Sequence, residues 1–128
     1  MSRRLPEDVM DLLSKYLPGE DLARMRVILE RPLSLIPRLL GAGATTFGRY
    51  VVFASGTYSP ETARGLGLIA HEAMHVGQFR ETGTLRFFLR YARFRISTRS
   101  RGMRHPLEAP CIELQRRVVR ELREQGWP

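Results

Sequence analysis

The sequence predicts an α+β domain, mainly helical, with a small β-sheet or hairpin before its longest helix. Two observations carry that expectation. Apolar residues recur at three- and four-residue intervals through most of the chain, which is the repeat of a helix with one buried face. Only ATTFGRYVVFA, residues 44–54, is instead rich in β-branched and aromatic side chains, which suit a pleated, half-buried strand. The 128 residues contain no repeat, low-complexity tract or linker. A single domain over 1–128 follows, long enough to bury a core.

The first helix is expected over residues 6–17, with Leu12, Leu13, Tyr16 and Leu17 on its apolar side and a stop at Pro18-Gly19. A second, about 20–30, opens on acids and carries Leu22, Met25, Ile28 and Leu29. These N-terminal helices occupy 6–31. Pro32 and Pro37 then break the chain, and Gly41 and Gly43 loosen it. Residues 44–54 make one strand or a hairpin turning at Gly48-Arg49. Ser59-Pro60-Glu61 offers a capping side chain, a proline for the first helical position and an acid. The longest helix is therefore expected over about 60–82, firm from Leu66 to Glu81 because Gly65 and Gly67 weaken its first turns, and stopped by Gly83. An aromatic helix follows over 84–96. A last helix covers about 107–124, its body beginning near Pro110.

One cysteine, Cys111, excludes an internal disulfide and is compatible with a reducing compartment. The start, MSRRLPEDVMDLL, lacks the apolar region of a signal peptide. No apolar run approaches the ~18 residues that cross a bilayer. A cytoplasmic protein without a transmembrane segment is expected, with export as an effector left open. The net charge is +8, and twenty of the twenty-one basic residues are arginines. Arg86, Arg90, Arg93, Arg95, Arg99, Arg101 and Arg104 fall in one acid-free stretch. Arginine binds phosphate well, but no nucleic-acid recognition motif accompanies the charge. Weak, nonspecific polyanion binding is the expectation.

The stretch LIAHEAMHVGQ, residues 68–78, holds two of the three histidines. Four residues apart on a helix, His71 and His75 share a face and can offer two imidazoles to one ion. Ile69, Ala73 and Val76 lie on roughly the opposite side, suited to the core, and Ala70 and Gly77 are small enough for close packing. Glu72 is placed to take a proton from water at the metal. The spacing is the H-E-x-x-H of zinc metalloproteases. With 3 histidines and 10 glutamates, a shuffled chain would contain about 0.005 such matches. Catalytic zinc needs a third protein ligand and one open position. Gln78 and Glu81 stand where the long metzincin form needs glycine and histidine, so that form is excluded. The candidates for third ligand are Glu81, His105, Glu108 and Glu113.

LIAHEAMHVGQFRETG, then the arginine- and aromatic-rich LRFFLRYARFR, then a Pro-x-Glu before a final helix, resembles small bacterial gluzincin-like metallopeptidase domains. Their usual pattern is H-E-x-x-H-x-x-Q followed later by N-P-x-E-x-E-A. The resemblance covers about residues 40–120, and GAGATTFGRYVVF is similar to the strand before their active-site helix. It implies a zincin-like domain with His71, His75 and Glu108 as Zn2+ ligands and Glu72 as general base. Here His105 stands in place of the asparagine, and Pro110 with Cys111 in place of the second Glu-Ala pair.

In the aromatic helix Leu85, Phe88, Leu89, Ala92 and Ile96 make one apolar face, and Phe87, Tyr91 and Phe94 a second nearly opposite. A helix apolar on two sides is expected to be sandwiched in a core; the alternative is a membrane-surface, partner or dimer face. Tyr58, Tyr91 and His105 are candidates to stabilise an oxyanion. Cys111 is expected to be buried and inert. Two functions are compatible with these residues. One is a zinc-dependent metallopeptidase-like hydrolase, cleaving a peptide or protein substrate by a metal-activated water with Glu72 as base. An extended peptide would then pair with the strand at Tyr50–Ala54. The other is a catalytically idle fold whose arginine-rich face binds nucleic acid or an acidic partner.

Overall fold

A computed structural model describes residues 2–98 and 105–128. Arg99, Arg101 and Arg104 of the acid-free stretch lie outside the described residues, as do the side chains of Phe94 and Arg95. The architecture is α+β and mainly helical, as expected, with a small sheet.

The chain opens on β1 (Ser2–Arg4), followed by α1 (Glu7–Leu13) and α2 (Gly19–Arg24), shorter than the expected helices. Pro6 and Pro18 precede the two helices, where a missing N–H is harmless. After Met25, with φ −59° and ψ 132°, the chain runs extended as β2 (Arg26–Ile28). This corrects the helix expected to Glu30. Val27 sits opposite Val51 in a parallel ladder, and both are fully buried. Pairing and burial of β-branched residues outweigh a helical pattern that Leu22 and Met25 share. The broken region contains a further short helix, α3 (Leu35–Leu39). It tolerates Pro37 because a first-turn N–H has no helical partner to lose.

Residues 44–54 form a hairpin of β3 (Ala44–Phe47) and β4 (Tyr50–Phe53), turning where the sequence indicated. The sheet order is β1-β2-β4-β3, so β3 is an edge and β4 is interior.

The longest helix, α4 (Ala63–Thr82), starts later than expected. Its cap is Thr62, whose Oγ1 accepts from Gly65 N–H at 3.0 Å. Ser59 instead bonds to Glu61 and Thr62, and its carbonyl folds over Gly65, where a Cβ would lie 1.8 Å away. Gly67 likewise admits α6 (Ala109–Glu124): a Cβ there would lie 2.5 Å from Val119 Cγ2. Both glycines are contact points rather than weak first turns. Leu66, Ile69, Ala73 and Val76 of α4 are buried, the larger ones contributing roughly 1.5–3 kcal/mol each. They join Leu13, Leu22, Val27, Phe53 and Val118 in one core.

In α5 (Thr84–Thr98) Phe87 is buried against Phe79 of α4, ring centroids 3.9 Å apart. The opposite stripe is open: Leu85, Phe88, Leu89 and Ile96 are 51–76% exposed. The expected sandwich is therefore covered on one side only. Among the described residues, no helix is long and apolar enough to cross a membrane.

Candidate metal centre

His71 and His75 lie one turn apart on α4, ring centroids separated by 5.2 Å. Their Nε2 atoms converge on one oxygen. Glu108 Oε1 is 2.7 Å from His75 Nε2 and 3.1 Å from His71 Nε2. Glu108 is the residue just before α6, and Pro110 occupies the first turn of that helix. The amides of Glu108 and Ala109 both donate to His105 O, at 3.0 and 2.8 Å. That turn holds the carboxylate over α4.

A second layer of side chains orients the three groups. His71 Nδ1–H donates to Gln115 Oε1 and His75 Nδ1–H to Gln78 Oε1, each at 2.8 Å. Gln78 Nε2 donates to Leu107 O at 3.0 Å, which fixes the amide so that its oxygen faces the ring. Tyr91 donates its hydroxyl to Glu108 Oε2 at 3.0 Å. With Nδ1 carrying the hydrogen, a neutral imidazole presents only a lone pair at Nε2. Oε1 presents only lone pairs too. The three atoms therefore need a cation among them, a proton or a metal. Tetrahedral zinc bonds place donors about 3.3 Å apart; the observed 3.1 Å is close to that edge, and the 2.7 Å pair would have to open by about 0.6 Å.

The same contacts set the direction of the proton equilibria. Burial works against charge on His75, but its contacts with Cys111 and Glu108 prevail and lift it well above the usual imidazole range. Burial would also raise Glu108; the bonds from His71 and His75 hold it well below the usual carboxylate range instead.

Cys111 completes a group whose possible ligand atoms lie within 4.8 Å of one another. Its Sγ lies 3.7 Å from His75 Nδ1 and 3.4 Å from Leu107 O, behind the ring rather than at the converging Nε2 atoms. Burial pushes its thiol up, as suits an inert cysteine.

Glu72 is 5% exposed. Thr46 of β3 donates to its Oε1 at 3.0 Å, and Oε2 stands 3.6 Å from His71 Nε2. One oxygen is held and the other faces the cluster. All of this opens on a cleft of about 440 Å³ with an apolar lining that includes Leu40, Leu68, Phe79 and Phe88.

Of the four candidates for third ligand, only Glu108 reaches the histidines. Glu81 is exposed and beside Arg80 at 3.6 Å, and Glu113 is exposed. His105 is fully buried. Its Nδ1 accepts from Leu107 N–H at 3.2 Å and its Nε2 donates to Tyr91 O at 3.1 Å, so both nitrogens serve the backbone. Tyr58 packs on Phe53, centroids 5.1 Å apart, and is not part of the cleft lining. Tyr91 lines the cleft. Thr46 and Gln115 went unnoticed in the sequence because they reach the site from 26 and 44 residues away.

The fold and the site together define a small α+β domain with a two-histidine, one-carboxylate cluster in an apolar cleft. Residues 4–83 match the family model of the eCIS core domain, well over half of the chain, and the chain belongs to that family. The matched span starts nearer the N-terminus than the gluzincin-like resemblance and ends at Gly83. It includes α4 and stops short of Glu108. No curated protein and no solved structure matches the chain.

Proposed function

We propose that this protein is a zinc-dependent, metallopeptidase-like hydrolase that cleaves peptide bonds with Glu72 as general base. The observation that carries this reading is the juxtaposition of Glu72 with the cluster. A buried carboxylate, held at Oε1 by Thr46 and open at Oε2, stands beside two imidazoles and a carboxylate that converge on one point. Two nitrogens and one carboxylate oxygen are the donor set of a catalytic zinc site with one position left open, and the gluzincin-like motif supports the same assignment. When bound, zinc supplies a Lewis acid for the scissile carbonyl and makes water acidic enough to attack near neutral pH.

The chain's own groups do the rest. Glu72 Oε2 accepts the proton of the attacking water and passes it to the leaving amine. Gln78 and Gln115 keep the two Nε2 atoms aimed at the centre. Tyr91, alone of the three candidate oxyanion donors, lines the cleft. β3 is an edge strand, and its Ala44, Thr45 and Thr46 line the cleft, so an extended substrate finds unpaired backbone groups there. The strand at Tyr50–Ala54 cannot serve, since β4 is paired on both sides. An idle binding module has no use for a buried carboxylate beside the histidines.

The test compares parent and Glu72→Gln for cleavage of an unstructured polypeptide, with zinc content measured in parallel. The parent should cleave, and the variant should keep its zinc while losing activity by at least about a hundredfold. Equal rates would remove Glu72 from the mechanism. A zinc-loaded parent that cleaves nothing would favour the idle binding module.

A further inference from the structure

We propose that the apolar, arginine-flanked rim of the cleft docks on the surface of an anionic phospholipid bilayer. The outer stripe of α5 is open, with Leu85 74%, Leu89 64% and Ile96 76% exposed. Arg86, Arg90 and Arg93, also exposed, run along one flank of that stripe. Across the cleft mouth α3 and its C-terminal cap expose Leu39 and Leu40, at 83% and 50%, beside exposed Arg38. Leu40 and Phe88 both line the cleft, so the two patches meet at its mouth. Phe47 joins them, its ring 5.6 Å from that of Phe88.

Charge selects the occupant. The exposed basic residues of the two patches are Arg38, Arg86, Arg90 and Arg93, and neither α3 nor α5 contains an acidic residue. A second copy docking face to face would bring arginines against arginines with no carboxylate to pair them. A neutral apolar partner would strip the guanidinium groups of water without an anion in return. A bilayer interface offers acyl chains to the stripe and phosphate or carboxylate headgroups to the arginines, whose long stems reach outward. Since no described helix is able to cross a membrane, the contact lies in the interface plane. The cleft would then open toward the membrane surface.

The test is co-sedimentation of the full chain with vesicles of phosphatidylcholine, alone or with roughly a third phosphatidylserine. The mixed vesicles should bind the protein and the neutral ones much less. Each arginine near an anionic surface contributes about fivefold in partitioning, so Arg86→Gln/Arg90→Gln/Arg93→Gln together should lower binding by about a hundredfold. Leu85→Asp/Leu89→Asp should abolish the binding that survives in high salt. These side chains are exposed, so unchanged urea midpoints and zinc content show that both variants are intact. A parent that ignores the mixed vesicles overturns the proposal, as does binding insensitive to the leucine changes. Self-association lost on those changes, without vesicle binding, would assign the face to a second copy. Capture of polyglutamate without vesicle binding would assign it to an acidic polypeptide.

Discussion

The two oxygens of Glu108 have different neighbours, the imidazoles at Oε1 and the Tyr91 hydroxyl at Oε2. Removing that carboxylate takes away one zinc donor and leaves two nitrogens, which seldom hold catalytic zinc. Glu108→Ala should therefore weaken zinc binding by more than about a hundredfold, beyond the usual effect of losing an orienting partner. His105→Ala should behave differently. It leaves the Leu107 amide without its acceptor and empties the space of a fully buried ring, a loss of about 2–4 kcal/mol in stability, with zinc affinity of the folded protein unchanged. Competition with a chromophoric chelator and urea unfolding separate the two effects; the reverse order would make His105 the ligand. His71, Glu72 and His75 were legible because helical spacing alone puts them together. Spacing alone only narrowed the third partner, and it was the Pro-x-Glu resemblance that pointed to Glu108, since its placing depends on the turn at His105 that hangs it over α4. That turn is made by backbone bonds, which helical spacing does not reveal.

Gly67 shows how the helices set the site. A methyl group there would lie 2.5 Å from Val119 Cγ2 and 3.1 Å from the backbone oxygen of Gln115. Valine can rotate, but the carbonyl moves only with α6. Gly67→Ala gains about 1 kcal/mol in helix propensity and loses roughly 1–3 kcal/mol to overpacking. A net destabilisation is expected, read as a lower urea midpoint, and adding Val119→Ala should restore part of it. A Gly67→Ala protein as stable as the parent would mean that α6 passes farther off. The sequence marked this glycine as a weakness because it cannot show which element passes by. β1 and β2 were hidden for a related reason: each is three residues long, too short for alternation to register. Leu22, Met25, Ile28 and Leu29 satisfied a helical period while the chain after Met25 was taken by the sheet. In α5 the sequence marked two apolar stripes but not which one the fold covers, which Phe79 meeting Phe87 decides.

At the scale of the molecule, the candidate metal cluster draws on both the matched and the unmatched parts of the chain. α4 lies within the eCIS core span, whereas Glu108, Gln115 and Tyr91 come from beyond it. The cluster is thus a tertiary assembly across α4, α5 and the start of α6, and its metal load reports on the whole arrangement. The most direct measurement is elemental analysis of the purified 128-residue chain after mild dialysis without chelator. Two converging imidazoles and the Glu108 carboxylate predict about one zinc per chain. Protein that carries no metal and takes up none when zinc is added would contradict the account.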